Sequence, residues 1–133
     1  LARIAGAPAN DELKDVEEGE GTFLNTRRFK YASFFNRVSK GVSQTWNPRP
    51  EILRRDPSGR VFGRIDRIVV LSITLDKAGT LQEIDVTRSS GLPFLDREAI
   101  MAVKRAQPFP NPPKGMVNGR EEIIFPFGFS HHF

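Results

Sequence analysis

Apolar residues recur at steps of three and four in two stretches of the chain. The first stretch predicts a helix over about 29–46, which must end before Pro48 because the residue before a proline disfavours the α conformation. The second predicts a helix over about 94–106, with acidic residues in its first turn and basic residues in its last, as the helix dipole favours. The apolar positions are Tyr31, Phe34, Phe35, Val38, Val42 and Trp46 in the first helix, and Leu95, Ala99, Ala102, Val103 and Ala106 in the second.

Alternating apolar and polar residues predict three strands, over about 64–75, 80–88 and 120–129. A tight turn at Gly79 joins the first two strands in a hairpin. The second strand is mixed on both faces, which is typical of the edge of a sheet. A proline inside a strand is tolerated almost only at an edge, so Pro126 places the third strand at an edge as well.

These elements predict an α+β fold. Two helices pack on one face of a three-stranded antiparallel sheet, in the order helix-strand-strand-helix-strand, and the first strand is central. Residues 47–60 are predicted to be a loop, because two prolines and the turn sequence from Asp56 to Gly59 fall within them. On the third strand, the side chains predicted to face the helices are Ile123, Phe125, Phe127 and Phe129.

The first 26 residues lack a sustained apolar period and carry six acidic side chains against two basic ones. This composition predicts the flexible end of a linker, dispensable for folding, and leaves residues 27–133 as the domain. The 133-residue chain begins at Leu1 rather than Met, which indicates a piece of a longer protein.

Positive charge is concentrated between residues 27 and 67, where the sequence contains eleven basic side chains and only three acidic ones. A basic surface of this kind fits an acidic protein, a lipid headgroup or nucleic acid. The alternative is the solvated face of a helix and its following loop, which the scattered spacing favours. Nucleic acid is disfavoured because the nearby aromatic residues have core spacing and are unavailable for base stacking. The candidate basic surface is Arg27, Arg28, Arg37, Lys40, Arg54 and Arg55.

The residue types that most catalytic and metal sites require are scarce in this sequence. It contains no cysteine, and its two histidines, His131 and His132, are adjacent near the end of the chain. Adjacent residues of a strand point in opposite directions and make a poor metal site, so we interpret both as tail or surface residues. Ser89-Ser90-Gly91 reads as a turn before a helix, since no lysine or second glycine completes a phosphate loop. We therefore expect no enzymatic activity, no metal and no cofactor.

A series of short motifs between residues 62 and 129 resembles the C-terminal domain of the TonB family. The motifs include Ser-Ser-Gly at 89–91, Leu-Asp at 95–96 followed by Ala99, and Phe-Pro-Asn-Pro-Pro at 109–113. Each occurs by chance, but their order within about half the chain is specific. The Tyr-Pro pair that precedes the first strand in enterobacterial TonB is not present, so the partner could belong to a nutrient transporter or to a motility or secretion machine.

The resemblance implies a periplasmic domain without enzymatic activity, in a parent protein anchored in the inner membrane and coupled there to a motor complex. It would bind an extended segment of an outer-membrane or periplasmic protein by strand addition and would transmit force or a signal. The alternative is an electrostatic docking element that binds an acidic partner through the basic first helix. The third strand supplies the candidate partner-binding residues, Glu122, Ile124, Phe125, Pro126 and Gly128.

Overall fold

The structure, a computed structural model, describes residues 2–4 and 30–132. A single turn of 3-10 helix, Lys114–Met116, precedes the last strand. The helices and strands, in chain order, are β1 (Ala2–Ile4), α1 (Ala32–Ser43), α2 (Arg49–Arg55), β2 (Arg67–Asp76), β3 (Leu81–Arg88), α3 (Pro93–Ala106) and β4 (Glu122–His131).

The strands form one antiparallel sheet in the order β1-β4-β2-β3. The central strand β2 pairs with β4 without interruption, from Arg67 opposite His131 to Asp76 opposite Glu122. On its other side β2 pairs with β3, with register shifts after Val70 and after Thr74. The three predicted strands and the two predicted helices are therefore present, and the predicted α+β fold with the first strand central is confirmed.

The core lies between the helices and one face of the sheet. Helix α1 buries its aromatic side chains against β4, where the ring of Phe125 lies 6.1 Å from that of Phe34 and 5.5 Å from that of Phe35, centroid to centroid. Beyond the end of α1, the ring of Trp46 packs against Phe129 at 4.8 Å. Helix α3 adds Leu95, Ala99, Ala102 and Val103, all buried. The predicted alternation along β4 is confirmed, since Ile123, Phe125, Phe127 and Phe129 are all buried.

Helix α2 corrects the predicted loop at 47–60. It starts just after Pro48, and Pro50 lies in its first turn, where a missing amide costs nothing because those amides have no partner within the helix. The buried side chain of Ile52 anchors the helix to the core. The predicted turn follows directly: the amide of Gly59 donates to the carbonyl of Asp56 at 3.2 Å.

The carboxylate of Asp56 fixes the loop that leads into β2. It accepts hydrogen bonds from the amides of Phe62 at 2.7 Å and Val61 at 3.1 Å. These bonds hold the pKa of Asp56 below its ordinary value, because they stabilise the charged form. Asp56 is buried and both bonds fall on its Oδ2, so backbone amides replace solvent at that oxygen, whereas Oδ1 is buried without a hydrogen bond in the described structure.

The strand β1 lies within the segment that was predicted to be a linker. It pairs with the end of β4, with Arg3 opposite Ser130. The linker prediction did not anticipate this pairing. Residues 5–26 lie outside the described residues, so the domain boundary at residue 27 stays a prediction.

Candidate functional site

The outer edge of β4, meaning the side of the strand that faces away from β2, is formed by alternate residues. The carbonyl of Val70 faces β3, because it accepts a hydrogen bond from the hydroxyl of Thr87 at 3.1 Å, and Val70 lies opposite Gly128. Successive residues of a strand direct their backbone groups to opposite sides, and the β2–β4 register is regular. The residues of β4 that present backbone groups at the outer edge are therefore Glu122, Ile124, Pro126, Gly128 and Ser130.

Both ends of this edge are occupied. At the start, the amide of Asn118 donates to the carbonyl of Glu122 at 2.8 Å, and the amide of Glu122 donates to the side-chain oxygen of Asn118 at 3.0 Å. At the far end, Arg3 of β1 lies opposite Ser130. Ile124 and Pro126 lie between these two contacts, and no strand in the described part of the chain pairs with their outer side.

Solvent exposure decreases along the edge toward β1. The side chain of Ile124 is 44% exposed, Pro126 is half-buried, and Gly128 and Ser130 are buried. The predicted outward direction of these residues agrees with the structure. Only the stretch around Ile124 is accessible, however, so the candidate site is shorter than the sequence indicated.

Phe125 does not belong to this site, which corrects its assignment as a partner-binding residue. Its side chain is 2% exposed and contacts the rings of Phe34 and Phe35. By the alternation along β4, its backbone groups face β2. A partner on the outer edge therefore has no access to Phe125, whose role is to join β4 to helix α1.

Among the described residues, those predicted as a second, basic surface lie on two helices, α1 and α2. Arg27 and Arg28 lie outside the described residues. Arg37 donates hydrogen bonds to the carbonyls of Asn111 at 2.9 Å and Pro110 at 3.3 Å, and thereby ties the proline-rich connector to α1. Lys40, also on α1, lines a groove of about 360 Å³ beside this connector.

The two basic residues of α2 are bound to one carboxylate. Glu51 accepts hydrogen bonds from Arg54 at 2.5 Å and from Arg55 at 2.7 Å. These bonds lower the pKa of Glu51 to about 2. Arg55 also lies over the ring of Phe94, with its guanidinium carbon 4.6 Å from the ring centroid. The charge that α2 presents to an acidic partner is therefore partly neutralised.

Within residues 2–4 and 30–132, no three His, Cys, Asp or Glu side chains are close enough together to hold a metal ion. No helix in the same ranges is long and apolar enough to cross a membrane.

The prediction that both histidines are tail or surface residues is wrong for His131. It ends β4 with its side chain 1% exposed, whereas His132 lies just beyond the strand with its Nδ1 3.0 Å from a carboxylate oxygen of Asp66. Burial, reinforced by the positive charge of Arg49, lowers the pKa of His131 from 6.5 to about 4. His131 is therefore neutral in the folded protein at neutral pH.

We expect the buried histidine to make the domain less stable in mild acid. The unfolded chain takes up a proton near pH 6.5, whereas folded His131 resists protonation down to about pH 4, so stability is lost as the pH falls between these values. The free energy of unfolding should decrease by about 2 kcal/mol from pH 7 to pH 5. Urea titrations at the two pH values measure it, and His131→Gln should remove most of the difference. An equal pH dependence in both proteins would contradict the assignment.

The loop at residues 89–91 is the predicted turn. The hydroxyls of Ser89 and Ser90 accept hydrogen bonds from the amides of Gly91 at 3.0 Å and Leu92 at 3.1 Å. The carboxylate of Asp96 in turn accepts from the Ser90 amide at 2.9 Å and from both serine hydroxyls. The loop amides are thus occupied by side chains of the loop itself, and Asp96 joins the loop to α3.

The proline-rich motif has a structural role at the β2–β3 hairpin. Phe109 is buried, and its amide donates to the carbonyl of Gly79 at 2.9 Å. Gly79 has a φ of 91°, and a Cβ atom there would lie 1.9 Å from the carbonyl oxygen of Phe109. Only glycine fits this close approach. The motifs at residues 89–91, 95–99 and 109–113 therefore fix the fold.

Comparisons with known proteins agree with this architecture. A family model described as the Gram-negative bacterial TonB protein C-terminal matches residues 64–130, half of the chain. No curated protein matches the sequence. The NMR solution structure of the Helicobacter pylori TonB C-terminal domain has a similar fold, with a TM-score of 0.51 and 17% sequence identity, covering 76% of this chain and 79% of that one.

The resemblance seen in the sequence motifs is thus confirmed at the level of the family and of the fold. The C-terminal domains of TonB proteins are periplasmic, non-enzymatic interaction domains that generally contact outer-membrane proteins. This chain belongs to the family of Gram-negative bacterial TonB proteins and contains their C-terminal domain.

Proposed function

We propose that this domain binds an extended segment of an outer-membrane or periplasmic protein by strand addition to the outer edge of β4. Its parent protein is anchored in the inner membrane, where a motor complex supplies energy through the part of the protein that precedes this chain. The domain transmits that energy, as force or as a signal, to the bound partner. Main-chain hydrogen bonds supply the affinity, and alternate side chains supply the selectivity.

The position of Ile124 is the observation that carries this proposal. It lies at the outer edge, its side chain is 44% exposed, and no described residue pairs with its outer side. An exposed isoleucine next to unpaired backbone groups offers a partner both a template for pairing and an apolar contact. Glu122, the next outward residue, already has its amide and carbonyl bound by Asn118.

Pro126 restricts which register an added strand can adopt. It has no amide to donate and presents only its carbonyl to the edge. An incoming strand therefore needs a donor opposite Pro126 but receives none from it. This asymmetry favours one register over its neighbours, and the same proline protects the edge against indiscriminate pairing.

The alternative, electrostatic docking through α1, has weaker support. Arg37 is bonded to the proline-rich connector, while Arg54 and Arg55 share Glu51. Docking between exposed charges should weaken steeply above physiological ionic strength, because the Debye length falls to about 3 Å at 1 M salt. Strand addition should persist, so repeating a binding measurement at high salt separates the two.

Replacing Ile124 by proline should reduce partner binding sharply without unfolding the domain. The substitution removes the outward amide of residue 124 and spares Ile123 and Phe125, which face the core. We expect the immobilised variant to capture about tenfold less outer-membrane protein than the unchanged domain captures. A tenfold loss of affinity corresponds to about 1.4 kcal/mol of binding free energy.

The matched control is Ile124→Ala, which shortens the same side chain but keeps the amide. It should lose much less binding than Ile124→Pro, and circular dichroism should give all three proteins the same folded spectrum. Unchanged retention by a folded Ile124→Pro variant would exclude the outer edge and direct attention to the basic residues of α1.

A further inference from the structure

The pairing of β1 with β4 places a segment of this chain on the edge assigned to the partner. Arg3 lies opposite Ser130 and Ile4 opposite Phe129, at the end of the edge where Gly128 and Ser130 are buried. With β1 in place, the accessible part of the edge extends little beyond Ile124 and Pro126. A typical strand has about five or six residues, so this opening is too short for one.

We propose that β1 is a resident strand that an incoming partner must displace, so that the N-terminal segment regulates the binding edge. The inference rests on the proposed function, because it gives the regulation of that same edge. A partner that pairs along residues 124–130 needs the outward amide of Ser130, which faces Arg3 in the folded domain. The partner and β1 therefore compete for the same backbone groups.

Two features favour the release of β1 from the edge of β4. It spans three residues, whereas the neighbouring pairing of β4 with β2 spans ten. The Ser130 hydroxyl, in the register of β1, is also buried without a hydrogen-bond partner in the described structure. Burying a hydroxyl without a hydrogen bond is unfavourable, so this end of β4 is less favourably buried than one whose polar groups are all bonded. The β1–β4 pairing is also the shortest of the sheet.

Because β1 covers the edge for part of the time, an added strand binds with a lower apparent affinity. That affinity is the intrinsic affinity multiplied by the fraction of time that the edge is free. If β1 is in place for nine-tenths of the time, the apparent dissociation constant of an added strand rises about tenfold. Releasing β1 removes this reduction without changing any contact of the partner. The N-terminal segment thus sets the threshold for binding.

The test uses the full chain, the variant Arg3→Pro and a synthetic peptide with the sequence Leu-Ala-Arg-Ile-Ala-Gly, which is that of residues 1–6. Proline at residue 3 removes the amide that faces Ser130 and should release β1. Arg3→Ala is the matched control, because it keeps that amide and changes the side chain in the same place. Binding is followed by NMR through the amide signals of Phe129 and Ser130.

We expect the peptide to shift these two signals in Arg3→Pro at a lower peptide concentration than the unchanged chain and Arg3→Ala require, about tenfold lower if β1 covers the edge for nine-tenths of the time. Equal peptide binding by all three proteins, or no shift at Phe129 and Ser130 in Arg3→Pro, would overturn the proposal. The test needs no outer-membrane partner. Its failure therefore leaves the Ile124→Pro result to decide the proposed function separately.

Discussion

Replacing Phe125 by alanine should lower the free energy of unfolding by about 3–5 kcal/mol, as is usual for truncation of a buried aromatic side chain. The ring is 2% exposed and makes edge-to-face contacts with both Phe34 and Phe35. Such aromatic pairs contribute beyond the apolar area they bury. A loss of this size is a large part of the roughly 5–15 kcal/mol that stabilises a typical domain.

Urea denaturation followed by circular dichroism measures this loss, and Ile124→Ala provides the control in the adjacent position. Ile124 lies on the opposite face of β4 and is 44% exposed, so its truncation should cost less than about 1 kcal/mol. Equal losses for the two variants would mean that β4 does not present alternate side chains to the core and to the outer face.

Gly79→Ala should destabilise the domain by at least about 2 kcal/mol. The φ of 91° at this position is strained for any residue with a Cβ atom. The added Cβ would also lie 1.9 Å from the carbonyl oxygen of Phe109 and 2.7 Å from its carbonyl carbon. The connector would have to move away from the hairpin, and the hydrogen bond from Phe109 to Gly79 would be lost.

Gly41→Ala is the matched control, since it adds the same methyl group elsewhere. Gly41 lies within α1 and has nothing within 4 Å of the added Cβ, so alanine should stabilise the helix by up to about 1 kcal/mol. Calorimetry should therefore give melting temperatures that move in opposite directions. A Gly79→Ala variant that melts with or above the unchanged protein would refute the close approach of Phe109 to the hairpin.

The elements that the sequence predicted best are those with sustained periodicity. The apolar spacing of α1 and α3 and the alternation of β2 and β4 are imposed by burial on one side, and burial is what both patterns record. Helix α2 was missed because its seven residues include Pro50, and only Ile52 is buried. The prolines were interpreted as a sign of a loop, although the first turn of a helix accepts a proline.

The sequence predicted only part of the candidate site. The outward direction of Ile124, Pro126 and Gly128 followed from alternation alone. The occupants of the edge did not, because Ala2–Ile4 is too short for any period, and Asn118 acts through a loop whose path depends on the whole fold. The Asn118-Gly119 pair was the available signal for that turn. His131 was misplaced because the alternation of β4 was not extended past Phe129.

The uninterrupted register between β2 and β4 has a mechanical consequence if, as proposed, a partner pulls on the domain through the outer edge of β4. A load directed along an added strand shears the ladder, so hydrogen bonds that act in parallel must break together, and the rate of rupture falls as their number rises. The β2–β4 joint spans all ten residues of each strand, more than a partner on residues 124–130 can engage. Under such a load we expect the partner to detach first, while β4 stays in the sheet.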